Sequence, residues 1–510
     1  MACPYTKQYL SWHNASSFQG RPGQAVSFAH LLEINRQRGQ PLYKQIAEQI
    51  KLQISEGRLP VGTQLPTVRY LAESLDIARV TAQNAYGELQ AEGWIESTVG
   101  RGTYVIAPPR NQDLLTAVSQ HTTPDSIMGD IQRINQIVGL RSFAYAEPDP
   151  ALYPIEDFWS SLINLSADAV ALMQYGGPQG DEMLRIELTD LLVERGITVL
   201  PDELLVISGV SQGLSLVTQA LASAGDKVVI EQPVYLGLFP VLSANNIQPV
   251  GVPLDSEGIR LDCLEQVVRE HRPRFLYTVP NFQNPTGICM SEQRRRDLMA
   301  LAERFNLPIV EDDIYGQIAF STTPGTLKSL DRNGLVFYLS SLSKVLMPGL
   351  RIGYLVAPSA YRERLTVLRQ TADLSGPLLL QRASAHFLHK GRLKAHLRRV
   401  LPRYRERRDV LLKSLEQMIP DGISWTQPDG GFCCWVTGRM PQDFYHTALR
   451  RGVAFTPGSV FLTEPDKQQH IRLCFAGLTP EVIEEGIEIL GDLLRGSPLQ
   501  RLRGHDLPLV

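Results

Sequence analysis

Between residues 204 and 341 the sequence carries five short apolar runs, LLVIS (204–208), KVVIEQP (227–233), RFLYTVP (274–280), LPIVEDD (307–313) and GLVFYLSS (334–341), with helix-type patterning between them. The runs lack polar alternation, so both faces of each strand must be buried. Strands buried on both faces and joined through helices form a mostly parallel sheet covered by helices. From about residue 141 the chain is therefore expected to be α/β, and no internal repeat interrupts that order. The chain has 510 residues, more than the roughly 100–200 of one usual domain, so additional units are expected.

One of these units stands at 41–107, after a leader (1–40) in which SFAHLLEINRQRG (27–39) suggests a short amphipathic helix and no role is assigned. PLYKQIAEQIKLQISEG places Leu42, Ile46, Ile50 and Ile54 four apart, with Pro41 at the start and Gly57 past the end, which marks a bounded amphipathic helix. A second helix is expected over TVRYLAESL (67–75) and, after a tight turn, a third from Arg79 to about Glu92. IESTVGRGTYVIA (95–107) reads as two short strands around Gly100-Arg101-Gly102, a wing. A head of this shape enters the major groove with the start of its third helix. Arg79, Thr81, Gln83 and Asn84 would then face base edges or phosphates. Arg69 would touch the phosphate backbone, and Gly100 with Arg101 would approach the duplex from the wing. Residues 41–106 hold six Lys/Arg against seven Asp/Glu, so it is the placement of the arginines, and not net charge, that points to DNA. The polar stretch from Pro108-Pro109 to about 140 reads as a linker, and 498–510 as a tail.

The large unit carries a second set of placed residues. In YLSSLSKVLMPGLRIGY (338–354), Lys344 follows a strand and a serine-rich turn, and Arg351 stands seven residues later. A lysine so placed can form an imine (Schiff base) with an aldehyde cofactor, while Ser341, Ser343 and Arg351 hold a phosphate. Asp312 ends the run LPIVEDD, where a carboxylate pairs with a protonated pyridine nitrogen. Tyr315 and Asn284, the latter in the Asn-Pro-Thr-Gly turn, would hydrogen-bond a ring oxygen. In VISGVSQGLSLV a strand runs through Gly209 into a helix, so the N–H groups of Val210 and Ser211 form a phosphate cradle. Tyr235 follows another strand and would stack on the ring.

The segment LPTVRYLAESLDIARVTAQNAYGELQAEGWIESTVGRGTYV (65–105) resembles the winged helix-turn-helix domain of the GntR regulators. Residues 141–497 resemble the fold-type I, aspartate-aminotransferase-like proteins, with a mostly parallel sheet and a small C-terminal α+β lobe. That resemblance implies pyridoxal 5'-phosphate as cofactor, with Lys344, Asp312 and Tyr315 in the chemistry. It also implies Arg472, in HIRLCFAG, as a clamp for a substrate carboxylate and Tyr175 as a contact to the phosphate of a neighbouring subunit. The sequence departs from the family's usual Gly-Ser-Phe-Ser-Lys at Ser340 and Leu342, and from its usual acidic residue at Gly177. Near Tyr235 there is Gly237 and no second arginine to receive a distal ligand carboxylate. The fusion resembles the MocR subgroup, which implies a head-to-tail homodimer that binds double-stranded operator DNA and senses pyridoxal phosphate or an amino compound. The alternative is a pyridoxal-phosphate-dependent aminotransferase acting on an amino acid and a 2-oxo acid, with an accessory DNA-binding head.

Composition excludes several other classes. With 50 Lys+Arg, 53 Asp+Glu and 43% hydrophobic residues the chain is not a disordered polymer. No apolar run reaches the roughly 18–20 residues of a membrane span, and the first residues lack the layout of a secretory signal. No membrane partner and a cytoplasmic location are expected. The six cysteines form no Cys-x-x-Cys pair, so no metal site is expected and the thiols are expected to be reduced and mostly in the core.

Overall fold

The computed structural model describes residues 41–55, 62–91, 93–98, 102–106, 140–166 and 169–496, together with Leu32, Ile34 and Leu59. Apart from Leu32 and Ile34 the leader, with its expected helix, lies outside the described residues, as do Gly100 and Arg101 of the wing turn, the linker up to residue 139 and the tail. The chain divides into two compact units, Met1–Thr116 and Ala117–Val510.

In the first unit the described elements are α1 (Leu42–Ser55), β1 (Gln64–Leu65), α2 (Val68–Ser74), α3 (Arg79–Ala91), β2 (Ile95–Thr98) and β3 (Gly102–Val105). Ile46, Ala47 and Ile50 of α1 share one core with Leu71 and Ala72 of α2 and with Ala82, Ala85, Tyr86 and Leu89 of α3. Spacings of three and four put these residues on the inner face of each helix. Helix α2 begins at Thr67, whose hydroxyl accepts the N–H of Tyr70 at 3.2 Å, satisfying a donor that helix geometry leaves unpaired. The wing gains a strand that the pattern did not suggest. Gln64 and Leu65 pair antiparallel with Tyr104 and Thr103, so the order is β1-β3-β2.

The second unit opens with β4 (Arg141–Ser142), α4 (Ile155–Ile163) and α5 (Glu182–Glu194). Its main sheet contains β5 (Leu204–Ile207), β6 (Lys227–Gln232), β7 (Gln248–Asp255), β8 (Gly258–Ile259), β9 (Leu276–Thr278), β10 (Ile309–Asp312), β11 (Val336–Ser341) and β12 (Gly353–Val356). They lie in the order β5-β12-β11-β10-β9-β6-β7-β8. All five apolar runs are strands, and the neighbours β11-β10-β9-β6-β7 are parallel. Strand β12 runs antiparallel between β5 and β11. Alternation along each strand feeds two cores. Val228 and Ile230 of β6 join Leu214 and Val217 of α6 (Val210–Leu221) on one face, whereas Val229 joins Leu298 and Ala302 on the other.

The C-terminal lobe combines α7 (Arg392–Met418), β13 (Ile423–Trp425), β14 (Cys433–Gly438), β15 (Val453–Ala454), β16 (Thr456–Pro457), β17 (Gln469–Cys474) and α8 (Pro480–Leu494). Its sheet has the order β13-β14-β17-β16 and is antiparallel. Strand β4, from the start of the unit, pairs in parallel with β15 and so belongs to this lobe.

Directly after β10, Asp313 is held by Arg195, whose Nη2 and Nε donate to Oδ2 at 2.7 and 3.1 Å, by Tyr338 Oη at 2.8 Å and by Asn281. The arginine and aspartate side chains are 3% and 1% exposed. Removing one partner strands a buried charge, which typically costs about 3–5 kcal/mol. Arg195→Leu is expected to lower the denaturant midpoint accordingly. The double variant Arg195→Leu/Asp313→Asn should lose less than the sum of the two single changes.

Candidate functional site

At the C-terminal ends of β5, β10 and β11 the second unit holds a cavity of about 300 Å³. Position follows from topology, because in open α/β sheets ligands bind beyond the carboxyl ends of the strands. Lys344, Asp312, Asn284, Tyr315, Tyr235, Val210, Ser211, Ser343, Arg351 and Arg472 all line it. Two predicted residues stand apart. Ser341 is buried one step behind the wall: its hydroxyl donates to the carbonyl of Ile352 at 2.8 Å and accepts the N–H of Ser343 at 3.0 Å. It therefore shapes the turn that carries Ser343 instead of facing the cavity. Tyr175 is 82% exposed and borders a separate hollow with Ser375–Leu379.

One end of the cavity suits an anion. Helix α6 starts after Gly209, whose φ of 96° lies in the left-handed region that favours glycine. A Cβ there would fall 2.9 Å from Arg351 Nη2. Gly353 is equally constrained, since its Cβ would come within 2.9 Å of the Gly209 Cα. Two bare backbones thus cross, and the crossing brings Arg351, which donates to the Ser208 carbonyl, beside the first amides of α6. A guanidinium, a helix N-terminus and the Ser343 hydroxyl together match a phosphate.

The opposite wall carries buried charge without a counter-ion. Asp312 accepts from Tyr277 Oη at 2.9 Å and from the Ile314 N–H at 3.2 Å, and no cation pairs with it among the described residues. Burial pushes its carboxyl up to about 7 despite those two bonds. Burial likewise lowers the Lys344 amine, favouring the neutral nucleophile. Tyr235 and Tyr315 are raised by burial and remain neutral donors, and Tyr315 packs edge-on to Phe432 at 5.6 Å. Arg472 donates to Asn284 Oδ1 at 2.9 Å, to the Ala144 carbonyl at 2.6 Å and to Thr456 Oγ1 at 3.0 Å, while its buried Nε has no partner. An anion cradle, an unpaired buried carboxylate, a buried free amine and an arginine with an open donor fit pyridoxal phosphate and an amino acid.

Sequence reasoning missed Tyr277, whose hydroxyl fixes Asp312, and the segment Ala144–Glu147, which forms part of the cavity wall. Tyr277 sits within the apolar run RFLYTVP, where a tyrosine reads as core. Residues 144–147 carry no periodicity.

In the first unit Arg79, Gln83 and Asn84 are exposed on α3, and Thr81 is half-buried. Val80, which the sequence did not flag, is 61% exposed in the same first turn. Arg69 is exposed and its Nε donates to Glu73 at 2.9 Å, a surface pair that typically contributes at most about 1 kcal/mol. Among the described residues no cluster suits a metal ion, and no helix is long and apolar enough to cross a membrane. Cys433, Cys434 and Cys474 are buried free thiols, and Cys263 and Cys289 are half-buried.

Comparison with known proteins finds relatives of both units. Residues 42–105 match the bacterial regulatory proteins of the gntR family, and residues 136–490 match aminotransferase class I and II. An HTH-type transcriptional regulator of Bacillus subtilis, YdfD, is 32% identical over 473 residues, covering 89% of this chain and 96% of its own. The probable rhizopine catabolism regulatory protein MocR of Rhizobium meliloti is 28% identical over 90% of this chain and 95% of its own. The chain belongs to the MocR subgroup of GntR-family transcriptional regulators. A kynurenine aminotransferase from Pyrococcus horikoshii, solved in complex with PMP, superposes with a TM-score of 0.70 at 30% identity over 76% of this chain and 97% of that one. This MocR-type protein is thus a DNA-binding regulator with a fold-type I domain, and its cofactor is pyridoxal phosphate.

The charge state of Asp312 gives a test on the cofactor-free protein. Its folded value, about 7, lies above the ordinary carboxylate value. The associated stability is therefore present below the unfolded pKa and is lost as pH rises through about 7. Melting curves of wild type and Asp312→Asn should cross over, with the variant gaining relative stability between acidic and mildly alkaline pH. A constant difference across that range would contradict the assignment.

Proposed function

We propose that this regulator holds its cofactor on Lys344 and responds to an amine that enters the same cavity, the outcome being read as a change in operator affinity. The observation that carries the reading is the joint presence, in one chain, of a cavity that fits the cofactor and a helix whose first two turns expose Arg79, Gln83 and Asn84. The boundaries that go with it are a head at 41–107, a linker at 108–140 and an effector domain at 141–497.

Each residue has a definite task. When bound, the cofactor supplies an aldehyde that takes up amines and a ring that withdraws electrons. Lys344 holds it through a neutral amine, the form that burial favours. Asp312, fixed by Tyr277, keeps a proton at the pyridine nitrogen. Arg351, Ser343 and the amides of Val210 and Ser211 hold the phosphate, Tyr235 stacks on the ring, and Asn284 with Tyr315 donates to the ring oxygen. Arg472 receives the effector carboxylate through its open Nε. In the head, Arg79 and its neighbours read base edges, and Arg69 leaves Glu73 for a phosphate. Gly100 and Arg101 act from the wing.

A homodimer belongs to the same reading. Ile155, Trp159 and Ile163, spaced by four on α4, are exposed, as are Met183 and Ile186 on α5 and Tyr175 between them. An apolar set of this size on one region is characteristic of an interface, and a second copy is its occupant, with Tyr175 delivered to the partner's phosphate. The aminotransferase reading keeps one observation in its favour: Lys344, Asp312 and Arg472 line one cavity, so turnover is chemically available. Rapid amino transfer to common 2-oxo acids would favour it.

Two substitutions test the regulator. Lys344→Ala should abolish the visible absorption of the bound cofactor and the response of DNA binding to amines while leaving a folded chain. Arg79→Ala should weaken binding to the protein's own promoter region by about 1–3 kcal/mol, roughly five- to 150-fold, with a smaller salt dependence. Unchanged DNA affinity at physiological salt would refute the role of α3.

A further inference from the structure

The cavity contains five charged side chains, Lys344, Arg351, Arg472, Asp312 and Glu147. The proposed function, on which this inference rests, assigns a counterpart to four of them: the cofactor aldehyde, its phosphate, the effector carboxylate and the pyridine nitrogen. Glu147 is left over. It is half-buried, and its carboxylate makes no hydrogen bond or ion pair among the described residues. A carboxylate that lines a cavity and has no partner there is available to a cation brought in by a ligand.

Its surroundings indicate which cation. Tyr145, two residues earlier, lines the same cavity. A carboxylate next to an aromatic ring is a combination suited to an organic ammonium or guanidinium, by charge and by the ring's negative face. Glu147 also acts on Lys344: burial lowers the lysine's pKa, and the strongest effect opposing it is the charge of this carboxylate. The glutamate therefore lies close to where an incoming amine must arrive. Gly237, also in the lining, offers no charge to a distal carboxylate, so an acidic side chain meets repulsion from Glu147 without a cationic partner at that position.

We propose that the effector is an amino acid whose side chain carries a second cationic nitrogen, and that Glu147 reads that charge while Arg472 reads the carboxylate. Glu147 is thus a specificity residue, and its position shortly after the linker had no functional reading in the sequence.

The test uses the full-length protein loaded with pyridoxal phosphate, titrated by calorimetry and by cofactor absorption. Lysine is compared with norleucine, which has the same carbon chain without the second charge, with cadaverine, which lacks the carboxylate, and with glutamate. Lysine is expected to bind at least about tenfold more tightly than norleucine, the size of one charge-assisted hydrogen bond, and glutamate more weakly than either. Glu147→Gln should bring lysine to the level of norleucine, and Glu147→Asp should retain part of the preference. Equal affinities for lysine and norleucine in the wild type, or a preference that survives Glu147→Gln, would overturn the inference. Cadaverine binding as tightly as lysine would overturn its amino-acid part. If amines change the cofactor absorption without this preference, only the inference fails. If no amine changes it at all, the effector reading beneath it fails as well.

Discussion

Two adjacent carboxylates organise the large unit. Asp312 and Asp313 follow each other at the end of β10, and the alternation of an extended chain sends them to opposite sides. Asp313 receives a full set of partners in Arg195, Tyr338 and Asn281 and is electrically closed. Asp312 receives only Tyr277 and a backbone N–H, and faces the cavity. The protein therefore balances one buried negative charge internally and leaves its neighbour for a ligand to balance. Much of the surrounding geometry follows, since the residues that close around Asp313 also fix the strand end that presents Asp312.

The phosphate end of the cavity rests on a different constraint, the approach of two glycine backbones. Because β12 is inserted between β5 and β11, the turn before it meets the turn after β5. Gly209 and Gly353 are the residues that permit this. Side-chain chemistry and backbone packing are inseparable here. Arg351 is placed by the same crossing that exposes the first amides of α6.

Much of this was legible in the sequence for identifiable reasons. Apolar runs buried on both faces announced β5, β6, β9, β10 and β11. Strand β12 opens on Gly353 after a turn, and β7 contains Pro249 and Pro253; both features weaken a strand pattern, and the prolines are tolerated because the outer neighbour of β7 is the two-residue β8. The two-residue β1 exists only by pairing with the wing, so no local signal marks it. At the site, lining groups such as Asp312 and Lys344 stand at strand ends and turns, where a local motif is readable. Ser341 was misplaced because alternate residues of a serine-rich turn look equivalent until the hydrogen bond to Ile352 decides which one faces inward. Glu147 was missed because an irregular segment far from the other lining residues in sequence gives no hint of where it docks.

That docking bears on how the protein comes into being. The segment carrying Ala144 and Glu147 continues from β4, which pairs with β15, and the neighbouring Phe143 packs against Gly486 of α8. Arg472, which holds the Ala144 carbonyl, lies on β17. A chain emerging from the ribosome has therefore made the first wall of its cavity more than three hundred residues before the strands that wall must join, as the Arg472 to Ala144 bond spans 328 positions. The head can fold on its own local contacts early in synthesis, but the cavity cannot be assembled until nearly the last helix is complete. A prematurely terminated product would carry the winged-helix unit without the cofactor cavity.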